Sequence, residues 1–378
     1  MKIVVTANTS FNLVNFRSGF IRALQHEGHE VIALAPFDEC TDAVRTELGC
    51  RIVELKLDRR GTSPPREVAS LFAMFRAIRR IRPDIIFSYT IKNNLYGGMA
   101  ARLTGTPIIP NITGLGTLFS SNGALTAFAG AMYRQSFRTA PVVFFQNLED
   151  RDEFIRMRAI SAEKARLLPG SGVDLERFSV SPPPSRPDAP VFLLIGRLLW
   201  EKGVGQFVEA ARQVRAVCPG AEFRIAGGLE APSSAAIPEK TVAEWVDEGI
   251  IDYLGQVRDV RPALRDATCV VLPTYYREGT PRSLLEAAAC GRPVITTDTA
   301  GCRTVVRDHV TGYLIAPKNS DDLARAMAAI ARASPAELTA MGSAGRAHIE
   351  EHFDERIVIK ACIDAMGAIE KRPEVGVR

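Results

Sequence analysis

The chain of 378 residues has no pair of cysteines at the C-x-x-C spacing of a zinc site. Its seven cysteines, Cys40, Cys50, Cys218, Cys269, Cys290, Cys302 and Cys362, are scattered singly. Several lie in apolar segments, where a free thiol behaves as a small hydrophobe. An odd count in a long chain argues against a disulfide framework and fits a reducing cytosol. No apolar run approaches the ~18 residues needed to cross a bilayer. Met1-Lys2 leads directly into Ile3-Val4-Val5 without the layout of a secretory signal. The expected location is therefore the cytoplasm. Excess charge is also small: 47 Lys and Arg against 43 Asp and Glu leave +4, too little to call for nucleic acid. A mildly basic surface still suits an anionic ligand or an anionic membrane.

Two further absences bear on chemistry. A dinucleotide dehydrogenase needs G-x-G-x-x-G directly after its first strand. Here that strand ends Thr6-Ala7-Asn8-Thr9-Ser10, and no glycine occurs before Gly19. Gly114-x-Gly116 comes late and lacks the third glycine. Both facts argue against an NAD-dependent oxidoreductase. Histidine is limited to His26, His29, His309, His348 and His352, all read as surface or helix-face residues, so a histidine base is not expected.

What is present is an ordinary globular composition, 46% hydrophobic and 24% charged. The length suits two domains of about 150–200 residues each. Short apolar runs rich in β-branched residues recur at 2–8, 30–36, 51–57, 84–90, 107–113 and 141–147. Amphipathic helical patterns separate them, such as 16–28, closed by Gly28. This alternation means a parallel sheet with helices on both faces. The prolines of 180–190 then read as a stiff linker. The pattern restarts at 191–197, 222–228, 250–256, 269–274, 293–299 and 312–317. The fold class expected is α/β, two doubly wound Rossmann-like domains facing across a cleft, with ligands at the carboxyl ends of the strands. The boundaries expected are 1–179, a linker at 180–190, and 191–352.

The charged stretches lie at such strand ends. In Glu278-Gly279-Thr280-Pro281, Thr280 can cap a helix and Pro281 suits its first position. The free N–H groups of that first turn form an anion site. Glu286, about a turn and a half on, is acceptor-only and can take both hydroxyls of a ribose diol. Glu278 would face whatever is bonded to the phosphate. An exposed turn with ordinary surface glutamates has the same spacing. Gly196-Arg197 and Lys202 follow the first strand of the second domain, and charge-assisted bonds from two cations would hold a diphosphate. Asp150-x-Asp152 resembles a metal-bound signature but opens a charged helix. It reads as a solvated face, with no metal or cofactor expected.

Taken in order, GRLLWEKG (196–203), IAGG (225–228), YLGQVRDV (253–260), LPTYYREGTPRSLLEAAACGRPVITTD (272–298) and TGYLIAP (311–317) resemble the donor half of the retaining GT-B glycosyltransferases of family four. GFIRALQHEGHEV and GVDLERF fit the same family, so the resemblance covers nearly the whole chain. It implies that Arg197 and Lys202 clamp the donor diphosphate, that Glu286 holds the ribose, and that Glu278 lies beside the donor sugar. Val257 and Arg258 would edge the base. It further implies an acceptor-binding first domain, with residues 353–378 crossing back onto it. A non-enzymatic nucleotide-sugar binding protein remains the alternative to an enzyme. NFRSGFIRAL, YTIKNNLYGG, NITGLGTLF and ARLLPGSGVD resemble enzymes that extend undecaprenyl-diphosphate-linked sugars, some of them with N-acetylgalactosamine from its UDP donor. The implied partners are a UDP-sugar and a lipid-diphosphate-linked acceptor.

The family's histidine in the loop matching NITGLGTLF is missing here. That fits a front-face reaction in which the departing phosphate accepts the acceptor's proton. Arg17, Lys92, Asn94, Gly114 and Gly116 are acceptor-side candidates by their nearness to strand ends or to this loop. Finally, 66–84 and 124–138 pair apolar residues with Arg76, Arg79, Arg80, Arg82, Arg134 and Arg138. Such helices can lie on an anionic bilayer or be ordinary packed helices with a solvated edge; a lipid-linked acceptor raises the reading of peripheral contact with the inner face of the membrane.

Overall fold

The structure is a computed structural model. It describes residues 1–58, 63–114, 123–184, 188–231 and 233–370, and the side chains of all these except 123–128, 368 and 370. The chain divides into two compact units, Met1–Ser171 with the last helix, and Gly172–Asp354.

The first unit is built on seven strands: β1 Lys2–Thr6, β2 Glu30–Ala35, β3 Arg51–Glu54, β4 Ile85–Tyr89, β5 Ile108–Ile112, β6 Val143–Phe145 and β7 Ala165–Leu167. All pair in parallel, in the order β3-β2-β1-β4-β5-β6-β7. Runs such as Ile3-Val4-Val5 are fully buried because helices cover both faces, which is why they read as continuous rather than alternating hydrophobic stretches. Around them lie α1 Ser10–Phe16, α2 Ser18–His26, α3 Thr41–Thr46, α4 Pro64–Ile81, α5 Ile91–Thr104, α6 Gly123–Ser136 and α7 Leu148–Arg156. The strand order reverses between β1 and β4. That switch point opens a crevice at the carboxyl ends of the strands.

The second unit has six parallel strands: β8 Val191–Ile195, β9 Glu222–Ala226, β10 Asp252–Tyr253, β11 Cys269–Leu272, β12 Val294–Thr297 and β13 Gly312–Ile315. Their order is β10-β9-β8-β11-β12-β13, again with a switch point, between β8 and β11. The helices are α8 Val204–Val217, α9 Glu239–Asp247, α10 Arg261–Asp266, α11 Arg282–Ala289, α12 Ala300–Arg303, α13 Ser320–Arg332 and α14 Pro335–His352. The last helix, α15 Glu355–Glu370, packs on α2 of the first unit. Its Val358, Cys362, Ala365 and Met366 enter the core formed by Phe20, Ile21 and Leu24. Burial of each large apolar side chain there contributes about 1.5–3 kcal/mol.

The change of unit differs from the expected boundary. Residues 172–179 pack with the second unit, not the first. Val173 donates its N–H to the Phe353 carbonyl at 2.8 Å, and Arg346 donates to the carbonyls of Phe178 and Ala289, each at 2.8 Å. Val173 and Phe178 share a core with α11. The prolines are conspicuous in sequence, but buried contacts decide the boundary, and these begin ten residues earlier. Arg292, fully buried, also holds the Pro182 carbonyl at 2.8 Å.

Candidate active site

A group of charged side chains stands at the carboxyl ends of β8 and β11. Beyond β8 the chain passes Gly196 and Arg197, then turns through Trp200–Lys202 to Gly203. Gly203 has φ 77°, and a Cβ there would meet the Pro273 carbonyl oxygen at 2.1 Å. Only glycine lets this turn lie against the end of β11. Lys202 thereby reaches across to β11's loop, and its Nζ ion-pairs with Glu278 Oε1. Both side chains are largely buried, at 12% and 14% exposure. Nζ also lies 5.8 Å from the Tyr276 ring centroid. Arg197 is more open, 55% exposed, with its guanidinium 3.6 Å from Glu230 and in hydrogen-bonding contact with Tyr276. Burial, reinforced by Glu278, raises the Tyr276 phenol's pKa, so the ring enters the site as a neutral hydrogen-bonding group.

A Cβ on Gly196 would meet only Leu272 Cδ1, at 3.9 Å. The tight contact belongs to Gly227, whose Cβ would meet the Gly196 carbonyl oxygen at 1.7 Å. Gly301, at the start of α12, likewise leaves room for the Glu278-Gly279 turn: its Cβ would lie 1.5 Å from the Gly279 carbonyl oxygen.

The helix after that turn starts one residue later than expected. Pro281, with φ −65° and ψ 119°, is the cap of α11, so its carbonyl accepts the first helical bonds from Leu284 at 3.2 Å and Leu285 at 3.4 Å. Thr280 is not the cap, and no side chain caps this helix. The extended ψ of Pro281 is the reason, since a residue at the first helical position needs helical φ and ψ.

Glu286 is one and a half turns on, 12% exposed, and bonded through Oε1 to Arg282 Nε at 3.0 Å. Arg282 also donates to the Gly172 carbonyl at 2.7 Å and lies 5.9 Å from the Phe178 ring centroid. Burial raises the Glu286 pKa against the opposing pull of Arg282, and Arg177 and Asp259 also act on it. Val257 is half-buried against the core of α11, Arg258 is exposed, and the neighbouring Asp259 carboxylate is held low by Arg261.

Sequence reading missed Arg282, Tyr276, Arg177 and Glu230. Arg282 could have been found from its i,i+4 spacing to Glu286 on a helix. Glu230 carries no such local signal, because its approach to Arg197 is made by folding.

The acceptor-side candidates fare differently. Arg17 is buried, with its guanidinium carbon 3.8 Å over the Tyr89 ring. Asn94 is 1% exposed, accepts from Ser88 Oγ at 2.7 Å and donates to the Asn111 carbonyl at 2.8 Å. Both lie near strand ends as expected, but their side chains turn inward, so neither presents a free polar face. Lys92 is held by Glu67 at 2.6 Å and by the Asp58 carbonyl at 2.7 Å. Gly114, with φ 117°, follows β5; Gly116 lies outside the described residues. Thr90, unremarked in sequence, has φ 73° and ψ 155° at the end of β4, a conformation costing a β-branched residue about 1–3 kcal/mol. Asp150 is 2% exposed and accepts from Asn147 at 3.0 Å, which corrects its reading as solvated. Among the described residues no group of three or more His, Cys, Asp or Glu could hold a metal ion.

Two doubly wound units, one with cations and an uncapped helix start at the carboxyl ends of its strands, have the architecture of a GT-B glycosyltransferase. Family models agree: residues 17–171 match the glycosyl transferase 4-like domain, and residues 189–333 match glycosyl transferases group 1. The chain belongs to the group 1 glycosyltransferases and is a hexosyltransferase of GT-B fold. It is 28% identical over 375 residues to the N,N'-diacetylbacillosaminyl-diphospho-undecaprenol alpha-1,3-N-acetylgalactosaminyltransferase of Campylobacter jejuni, covering 95% of this chain and 96% of that one. An Escherichia coli UDP-Gal:alpha-D-GlcNAc-diphosphoundecaprenol alpha-1,3-galactosyltransferase is 26% identical over 71% of each chain. The crystal structure of Anabaena HepE with UDP-glucose superposes with a TM-score of 0.77 at 16% identity, covering 97% of this chain and 100% of that one.

Proposed function

We propose that the enzyme moves an N-acetylhexosamine, such as N-acetylgalactosamine, from its UDP donor to a glycan on undecaprenyl diphosphate, with retention at the anomeric carbon. The observation that carries this reading is the pair of charged clusters on either side of the Glu278–Glu286 turn. Lys202 and Arg197 stand where a diphosphate would meet the start of α11, and Glu286 offers acceptor oxygens for the ribose. The full-length likeness to an undecaprenyl-linked N-acetylgalactosaminyltransferase supports the acceptor class.

In this reaction the acceptor hydroxyl oxygen bonds to C1 of the sugar while the bond from C1 to the β-phosphate oxygen breaks. The hydroxyl proton passes to that departing oxygen, and UDP leaves. Charge grows on the diphosphate in the transition state, and preorganised cations there stabilise it. Donor binding frees Lys202 from part of its pairing with Glu278, so the carboxylate is left beside the sugar.

The acceptor is met at a membrane. Among the described residues no helix is long and apolar enough to cross one, so contact would be peripheral, through α4. The second candidate helix lends less: Arg134 is held by the Arg158 carbonyl at 2.7 Å and the Met157 carbonyl at 3.1 Å.

The test is incubation of the purified chain with UDP-linked N-acetylgalactosamine, N-acetylglucosamine or galactose and a short polyprenyl-diphosphate disaccharide. Mass spectrometry should show one added N-acetylhexosamine, and proton couplings an α-anomer. Hydrolysis of the donor without transfer, or a β-linked product, would contradict the reading.

A further inference from the structure

α4 is 18 residues long, about 27 Å. Because β3 and β4 are parallel, it runs back from the carboxyl edge of the sheet to the amino edge. Buried Ser70, Met74, Ile78 and Ile81 fix its inner stripe. The outer stripe is unusual. Val68 is 67% exposed and Phe72 57%, with Arg76 5.8 Å over the Phe72 ring. At the far end the stripe runs into a concavity of about 530 Å³ between the last turns of α4 and α5. Phe75, Ile78 and Leu103 give it an apolar lining, and Arg79 and Arg82 its charge; no carboxylate lines it among the described residues. Leu103 is 71% exposed at its mouth.

Arg82 caps α4 in the left-handed conformation, φ 50° and ψ 60°. Glycine is the usual residue there, and a side chain costs about 1–2 kcal/mol. The strain is tolerated at a position that points a second arginine at the concavity. The carboxylates nearby are engaged: Glu67 by Lys92 and Tyr96, Asp58 by Arg66 at 3.6 Å, and Asp84 by the Lys2 N–H at 2.6 Å. Exposed Arg66, Arg76, Arg79, Arg80 and Arg102 leave the face strongly positive.

We propose that this concavity seats the phosphate headgroup of an anionic glycerophospholipid, with Phe72 and Leu103 entering the acyl boundary. The site lies at the amino ends of β4 and β5, the opposite edge of the sheet from the acceptor-side candidates, so it is not a donor or acceptor subsite. Two cations over an apolar floor match a phosphate joined to acyl chains. Exposed large apolar side chains among arginines are what an interfacial helix carries. With α4 lying along the surface, the headgroup holds one end of the helix and the carboxyl edge lies about 27 Å away. This deepens the membrane reading above and rests on it only for the presence of a bilayer.

The test uses the full chain with vesicles of phosphatidylcholine, with and without one-third phosphatidylglycerol, at low salt. Arg79→Gln with Arg82→Gln should lower partitioning onto the anionic vesicles by about tenfold or more, since each cation near such a surface adds about 1 kcal/mol. Arg45→Gln with Arg156→Gln, which removes the same charge elsewhere on the unit, should lower it by less than about twofold. Leu103→Asp, at an exposed position, should also release the protein. Equal losses for the two arginine pairs would overturn a defined site in favour of diffuse attraction. So would equal partitioning onto neutral and anionic vesicles. Protection of the concavity by inorganic phosphate alone, without vesicle binding, would reassign it to a soluble anion and overturn the lipid. A retained thermal response of each variant to UDP shows that it folds, and separates this proposal from the donor-site reading.

Discussion

The two sheets end differently at their carboxyl edges. In the second unit charged side chains reach the edge: Arg197 is open, at 55% exposure, and Lys202 and Glu278 pair with one another, largely buried, at 12% and 14%. In the first unit the polar side chains are buried and engaged with each other. Ser88 bonds Asn94, Asn94 bonds the Asn111 carbonyl, and Asn93 bonds Thr6. A diphosphate has the same demands whatever sugar it carries, and in the proposed reading they would be met by fixed charge at a rigid helix start. The first unit instead maintains a buried polar floor, bonded within itself but leaving Asn111 Nδ2 without a hydrogen-bond partner, and stores its strain in Thr90. One edge presents charge and the other a buried polar network.

That contrast can be broken at its ends. Lys202→Ala should have the largest effect, a fall in kcat of about 100–1,000-fold, as for removal of one donor to a developing oxyanion. The donor KM should change much less, because charge grows at the transition state. Steady-state kinetics would check this, and a pure KM effect would make Lys202 a ground-state contact. In the first unit the comparable change acts on stability. Asn94→Ala leaves Ser88 and the Asn111 carbonyl without their buried partner and should lower unfolding free energy by about 1–3 kcal/mol, read by denaturant titration. If donor affinity fell instead, the floor would be part of a binding site.

Glu286→Ala should weaken donor use by about 1–3 kcal/mol, the loss of bonds to a charged group, with acceptor KM unchanged. Its pH dependence sharpens the point. Burial raises the Glu286 pKa, so this carboxyl gains its proton at a higher pH than a free glutamate would. The neutral form accepts hydroxyls poorly, and donor KM should rise on acidification. Arg282→Gln removes the nearest cation, leaving Arg177 and Asp259 acting on the carboxyl with the Cys290 thiol close by. The rise should then begin at a higher pH than in the wild type. Coincident KM profiles would remove Arg282 from this positioning role. The smallest effect is Thr90→Gly, which should raise stability by about 1 kcal/mol through relief of strain and lower acceptor use. Unchanged acceptor kinetics would make the strain incidental.

The sequence was readable where function depends on neighbours in the chain. The twelve strand segments expected all occur, most of them as buried β-branched runs; β10 is only Asp252–Tyr253, with Asp252 exposed, and is marked by the buried Ile250-Ile251 before it. β7 was not anticipated: it has three residues, two of them exposed, and leaves no hydrophobic pattern. The charged edge of the second unit could be read because Glu278 and Glu286 bracket one turn and Arg197 and Lys202 follow one strand. Glu230 and the acceptor side could not, since their geometry is set by contacts distant in sequence. Arg17 and Asn94 were placed by nearness to strand ends, yet nearness does not fix the direction of a side chain. The proline run marked a boundary in the wrong place for a similar reason: Val173 and Phe178 join the second unit's core through packing.

The most direct test is thermal unfolding of the purified chain with UDP, GDP, ADP or NAD, repeated for Glu286→Ala. A ligand at about 100 times its Kd adds about 2.7 kcal/mol of stability. A shift with UDP alone, reduced in the variant, is the predicted result. A shift with NAD alone, or an undiminished UDP shift in the variant, would contradict the assignment of this edge to the nucleotide sugar.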